Sequence, residues 1–149
     1  MEREQLLKLD NQLCFAVYAL SREITKIYRP HLEELGLTYT QYVTLLALWE
    51  EDDITVKELG ARLYLDSGTL TPLLKRLEQM GLIRRVRDVK DERNVLIQLT
   101  EQGKALKERA YEIPEKVFCH LGLDPQEISQ WRKQLTQLTH TIQQFKSEE

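Results

Sequence analysis

Apolar positions fall mostly at helical spacing along this chain. Within residues 6–28, Leu13, Val17, Leu20, Ile24 and Ile27 alternate by fours and threes, close to a heptad seam. A second stripe, Cys14, Tyr18, Ser21, Thr25 and Tyr28, runs beside it. The pattern predicts a long helix with two covered faces, one serving its own subunit and one a partner helix. Pro30 is expected to end it, because the residue before a proline avoids the helical region. A short helical segment, 31–35, should stop at Gly36. The next helix begins near Leu37 with Thr40 as its cap and Tyr42, Leu45, Leu46 and Trp49 as its apolar face. The acidic run 50–53 reads as a solvated turn. Residues 54–56 form a short β-like run, and KELGARLYL a helix of about two turns with Leu59 and Leu63 inward.

After a turn at residues 64–66 comes LDSGTLTPLLKRLEQ, residues 65–79. Asp66 and Ser67 are capping residues, and Leu70, Leu73, Leu74 and Leu77 make one apolar face. The other face holds Thr69, Arg76 and Gln79, with Ser67 and Lys75 at its edges. Short hydrogen-bonding groups near the start and cations further along suit a helix that reads base edges and sits near phosphates. An ordinary surface helix has the same apolar pattern. Pro72 breaks a local rule: it either removes one hydrogen bond or delays the helix start.

Beyond Gly81, residues 82–87 and 94–99 are strand-like, rich in Val and Ile, and DVKDER between them is turn-prone. A helix-turn-helix followed by such a hairpin is a winged helix. Arg84, Arg85, Arg87, Lys90 and Arg93 line the wing. Arg93 is the residue expected in a minor groove, with Asp91 holding its guanidinium. Exposed charge placed for solubility is the competing explanation. Thr100 should cap a helix reaching Phe118 despite Pro114, stopped by Gly122. Asp124 and Pro125 then start a last helix with Ile128, Trp131, Leu135, Leu138, Ile142 and Phe145 on one side. These terminal helices carry more apolar surface than one subunit needs, which predicts a homodimer. The expected fold is mainly α with a small β wing: a winged helix-turn-helix over 37–100, with 1–36 and 101–149 as the helical dimerisation region.

Bulk composition narrows the function. A chain of 149 residues suits one ordinary domain. It has no apolar run of about 18 residues, so no membrane partner is expected, and the charged start MEREQLLKLDNQ is unlike a secretory signal; a cytoplasmic protein is expected. Two cysteines 105 positions apart are no disulfide framework, and His31, His120 and His140 are too scattered for a zinc pattern. No cofactor, metal or catalytic constellation is expected. The net charge of −3 argues against a nucleic-acid partner, but its distribution reverses that. Residues 54–100 hold nine Lys/Arg and six Asp/Glu, net +3, which leaves −6 for the remainder.

Four stretches, QLCF at 12–15, LTYTQY at 37–42, YLDSGTLTPLLKRLEQ at 64–79 and KDERNVLIQLT at 90–100, resemble the MarR family of winged-helix transcription regulators. More closely they resemble its OhrR branch, which senses organic hydroperoxides, and the related MgrA/SarZ-type redox regulators. The resemblance implies double-stranded DNA as partner, contacted by Ser67, Thr69 and Arg76 from the reader helix, with Lys75 beside them, and by the wing-tip pair Asp91 and Arg93. Two symmetric readers roughly 34 Å apart require a pseudo-palindromic operator.

The resemblance also makes Cys14 a redox-sensing thiol supported by Tyr18, Tyr28 and Tyr39. Tyr18 is one turn away. Tyr28 lies about 21 Å along the same helix and can reach a Cys14 only from an antiparallel partner. Phenol hydroxyls stabilise a thiolate, and its oxidation gives a sulfenic acid that condenses with a second thiol. That second thiol is either Cys119 of the other subunit or a low-molecular-weight thiol. Against this, a cysteine in an apolar helix is ordinarily a small buried hydrophobe, and Cys119 among Val117, Phe118 and Leu121 fits a buried inert residue equally well. The favoured reading is a repressor that releases its operator on Cys14 oxidation. The alternatives are a regulator of the same fold controlled by a small phenolic ligand, and a thiol peroxidase.

Overall fold

The computed structural model describes residues 2–146. Two short 3-10 turns, Arg3–Leu7 and Leu9–Asn11, precede α1, Leu13–Glu33. There follow α2 (Tyr39–Glu50), β1 (Ile54–Thr55), α3 (Val56–Leu63), α4 (Ser67–Gln79), β2 (Ile83–Arg87), β3 (Val95–Leu99), α5 (Glu101–Ala110), α6 (Glu112–Leu121) and α7 (Pro125–Lys146). The fold is mainly α, with one three-stranded antiparallel sheet in the order β1-β3-β2. Ile54 pairs with Ile97, and Ile83 with Leu99, so the hairpin β2–β3 is tied back to β1. The described residues up to Glu115 form one compact unit and those from Lys116 a second.

Several element ends differ from the sequence expectations, each for a local reason. The first helix starts at Leu13 rather than Leu6. Gln12 is extended, and its amide Nε2 donates to the carbonyls of Leu6 (2.8 Å) and Lys8 (2.9 Å), while Asn11 Nδ2 donates to that of Gln5 (2.8 Å). Side chains thus take carbonyls that a continuing helix would have used. Pro30 does not end α1, which runs on to Glu33. A proline there removes only the bond to the Lys26 carbonyl, and the extra turn seats Leu32 in the core at 2% exposure. Beyond Glu33 the chain turns out of the helix at Gly36, where Gly36 N–H donates to Glu33 and Leu37 N–H to Leu32.

Thr38, not Thr40, caps α2. Its hydroxyl accepts from Gln41 N while the Gln41 side chain accepts from Thr38 N at 3.0 Å, a reciprocal capping box. Tyr42, Leu45 and Leu48 of α2 are buried, whereas Leu46 is exposed and Trp49 half-buried. The expected helix from Thr100 to Phe118 is broken at Tyr111 and resumes to Leu121. Pro114 cannot donate to the Ala110 carbonyl and its ring crowds that group, so the ladder fails one turn before the proline. Asp124 caps α7 as the sequence indicates, exchanging bonds with Glu127 at 2.8 and 2.9 Å.

The core of the first unit gathers Leu45 and Leu48 of α2, Leu59 of α3, Leu70, Leu74 and Leu77 of α4, and Ile83 and Ile97 of the hairpin, all nearly inaccessible. Leu63 is only half-buried. Along α1, by contrast, Leu13, Phe15, Val17, Tyr18 and Leu20 stay exposed, as do Trp131, Ile142 and Phe145 on α7. No described helix is long and apolar enough to cross a membrane. Against the core, Gly103 of α5 lies so close to the Leu82 carbonyl that a Cβ there would strike its oxygen. Gly103→Ala is therefore expected to cost about 1–3 kcal/mol of stability. Urea unfolding of the two proteins measures it, and coincident curves would contradict the close approach.

Candidate DNA interface and thiol site

The reader element begins with α3, held by a capping box between Thr55 and Glu58. It ends at Tyr64, whose φ of 56° turns the chain, and Leu65 N–H donates back to the Gly60 carbonyl. A turn of this length leaves Asp66 free to cap α4. Its Oδ1 accepts from Thr69 N at 2.8 Å, and these hydrogen bonds hold the Asp66 carboxyl below the usual carboxylate range. The cap is thus Asp66, and Ser67 is the first helical residue. Leu70, Leu74 and Leu77 are buried and Leu73 half-buried, while Ser67, Thr69, Lys75, Arg76 and Gln79 are all exposed. The structure therefore places the four predicted DNA contacts of this helix, Ser67, Thr69, Lys75 and Arg76, on its open side. Pro72 lies inside α4, so it removes one hydrogen bond, to the Gly68 carbonyl, and does not delay the start. One residue before it, the Thr71 hydroxyl donates to the Ser67 carbonyl at 2.7 Å.

The wing carries its cations in two states. At its tip Arg93 Nε donates to Asp91 Oδ1 at 3.1 Å, with the Arg93 side chain 90% exposed. The predicted pair is in contact, and its guanidinium points into solvent with its aim partly set. Arg84 Nε donates to Gln98 Oε1 at 3.0 Å, and Gln98 Nε2 in turn donates to Asp53 at 2.8 Å. Arg85 bonds to Glu78 of α4. For Arg87 and Lys90 no side-chain partner is found among the described residues. Glu78 and Gln98 were not legible as site residues, because their partners lie across a turn or a strand rather than at helical spacing.

Cys14 sits in the first turn of α1, exposed and unbonded to another cysteine, and Cys119 is likewise exposed on α6. In the single chain neither is the buried small hydrophobe that an apolar helix suggests. One turn from Cys14, the Tyr18 hydroxyl accepts from Arg22 at 3.1 Å, and that guanidinium lies 5.5 Å from the Tyr18 ring centre. Tyr28 and Tyr39 do come together, with ring centres 5.1 Å apart edge to face, and Tyr42, read from the sequence only as core, completes the cluster at 5.8 and 6.4 Å. Burial, with smaller contributions from Tyr39 and Tyr42, pushes the Tyr28 phenol up to about 12, and burial also raises Tyr39 and Tyr42. The structure thus gathers two of the three predicted thiol-supporting tyrosines at the far end of α1 from Cys14, and leaves Tyr18 beside it. Among the described residues no group of three or more His, Cys, Asp or Glu could hold a metal.

Comparison with known proteins matches this architecture. Residues 26–110 fit the family model described as transcriptional regulator SarA/Rot. The chain is 54% identical to the organic hydroperoxide resistance transcriptional regulator of Bacillus subtilis over 141 residues, covering 93% of this chain and 94% of that one. It is 50% identical to the regulator SarZ of Staphylococcus aureus over 121 residues, 81% of this chain and 82% of that one. Among solved structures, reduced AbfR bound to DNA, a protein of Staphylococcus epidermidis, superposes with a TM-score of 0.81 at 38% identity, covering 97% of this chain and 99% of that one. With its capped reader helix, arginine-tipped wing and these relatives, the chain belongs to the MarR-type winged-helix transcriptional regulators, in the branch of the organic hydroperoxide resistance regulator and SarZ.

Proposed function

We propose that this protein is a dimeric repressor that holds a pseudo-palindromic operator through α4 and the wing and releases it when Cys14 is oxidised by an organic hydroperoxide. The observation that supports this most is the setting of Cys14, an exposed thiol within the exposed apolar stripe of α1, on a chain that also presents a reader helix and wing. A second copy of the chain would cover that stripe, with 1–36 and 101–149 supplying the dimer surface and 37–100 the DNA-binding part. In an antiparallel pair of α1 helices, Tyr28 and Tyr39 of one copy approach Cys14 of the other. Their phenols stay protonated at neutral pH, so they serve as donors to a thiolate.

The thiolate attacks the outer peroxide oxygen. The O–O bond breaks, the alcohol leaves, and the cysteine becomes a sulfenic acid. A second thiol then displaces water to form a disulfide, supplied by Cys119 of the other subunit or by a low-molecular-weight thiol. The relatives support this chemistry: one is named for organic hydroperoxide resistance, and AbfR has been solved reduced, overoxidized and disulfide-formed. The protein is a stoichiometric switch working in the cytoplasm rather than a peroxidase; a cationic wing serves a regulator and has no use in peroxide turnover. One observation favours a second reading. A cavity of about 390 Å3 in the first unit is lined by Tyr42, Leu46, Trp49, Lys107, Tyr111 and Pro114, a setting suited to a small phenolic ligand.

Cys14→Ser is expected to keep operator affinity and to remain bound in cumene hydroperoxide, by gel shift. Peroxide-driven release of this variant would remove Cys14 as the sensor, and release by a phenol instead would establish the second reading. On non-reducing electrophoresis after peroxide, a dimer band that needs both cysteines identifies a Cys14–Cys119 bond, whereas a monomer of increased mass identifies a small thiol. Arg93→Ala should weaken operator binding by about 1–3 kcal/mol while leaving the melting temperature in place; unchanged affinity would place the wing tip off the DNA.

A further inference from the structure

One carboxylate joins the reader helix to the wing. Glu78 lies in the last turn of α4 and Arg85 in the middle of β2, seven residues on. Glu78 Oε2 accepts from the backbone N–H of Arg85 at 3.1 Å, and Oε1 accepts from its Nε at 3.3 Å and from its terminal nitrogen at 3.1 Å. β2 is an edge strand, so the Arg85 N–H, turned away from β3, would otherwise face water. A single side chain thus meets both the open edge of the wing and the charge it carries. The short connection makes this geometry possible. Gly81, with φ 76°, reverses the chain, and Gly81 N–H and Leu82 N–H close back onto the Glu78 and Leu77 carbonyls.

We propose that Glu78 and Arg85 are a positioning pair that sets the angle between the reader helix and the wing, and through it the discrimination of operator from other DNA. The proposal rests on α4 and the wing both facing DNA. Exposed ion pairs contribute little to global stability, and these side chains are 32% and 37% exposed, so the effect belongs to geometry rather than to folding. The bonds hold the Glu78 carboxyl below the usual carboxylate range, so the pair persists well below neutral pH. Base readout by Ser67, Thr69 and Arg76 and minor-groove insertion by Arg93 must be satisfied at once. The hairpin is anchored at Ile83 by burial and gripped at Arg85 by Glu78, halfway to the end of β2. Without that grip the outer strand β2 is held beyond Ile83 through its pairing with β3, which leaves its angle to α4 unset. Arg85, which sequence reading places among the DNA-facing cations, is instead spent on Glu78.

This leads to an expectation opposite in sign to simple charge counting. Removing an acidic residue beside DNA ordinarily tightens binding to any sequence. The test uses the full chain and two duplexes of equal length, one selected by the wild-type protein from a randomised pool and one unselected. Glu78→Gln is expected to lower the ratio of selected to unselected affinity roughly tenfold, while affinity for the unselected duplex holds or rises and its salt slope steepens by up to about one phosphate as Arg85 is freed. Arg85→Gln should lower the same ratio, and the charge-swapped double variant E78R/R85E should regain much of it, with melting curves showing all variants folded. An unchanged ratio in Glu78→Gln, equal tightening on both duplexes, or simply additive effects of the two charge changes would overturn the proposal. A wild-type protein that selects no duplex would instead overturn the DNA-facing reading of α4 and the wing.

Discussion

Four elements meet at the backbone of Leu82. Its N–H closes the end of α4 by donating to Leu77, and its carbonyl accepts from Thr100 N at 3.1 Å. Its side chain is buried, and Gly103 of α5 is pressed against its carbonyl. The Thr100 hydroxyl adds a 2.6 Å bond to the Gly81 carbonyl while it caps α5 through Gly103 N. Trp49 of α2 then donates its indole N–H to the Gly103 carbonyl at 2.9 Å. The entry to the wing, its exit and the reader helix are therefore registered against the two peptide units that flank Leu82, and α2 joins them through Gly103. Because buried peptide groups must be paired, shifting any one of these elements leaves a donor or acceptor unmet, at a cost of order 1–3 kcal/mol. That constraint gives the exposed reader residues and the wing tip a fixed base.

Much of this was legible because it is written at short range. The leucines of α4, the Asp124–Pro125 start of α7 and the strands of the hairpin all follow from spacing within a few residues. The prolines were harder. Pro30 sits inside a helix, Pro72 inside another, and Pro114 acts one turn upstream at Tyr111. The local rule gives the cost of a lost hydrogen bond but not the packing set against it, and burial of Leu32 and of Leu74 is a tertiary fact. By local rules Thr38 and Thr40 can both cap α2. Only the partner at the third helical position, Gln41, separates them.

The charged and aromatic side chains divide in the same way. Residues 54–100 carry a net positive charge, but the structure shows that cations in one wing do different work. Arg84 is tied to Gln98, Arg85 to Glu78 and Arg93 to Asp91, each partner two or more residues away through a turn or a strand. A count of basic residues therefore overstates the charge available to phosphate and understates the control over where it points. For the thiol site, spacing alone put Tyr28 out of reach of its own Cys14. Its stacking on Tyr39 and Tyr42 could not be foreseen, because it depends on how α1 crosses α2.

The tyrosine cluster has a consequence for the acid–base behaviour of the protein. A free cysteine thiol ionises near pH 8.5 and an unperturbed tyrosine near 10, close enough for their titrations to overlap. With Tyr28 pushed up to about 12, its proton is in place throughout the interval in which a thiol titrates. The capacity of that phenol to donate a hydrogen bond is therefore constant from acid through mild alkali, and the cluster adds no charge to its surroundings over that range.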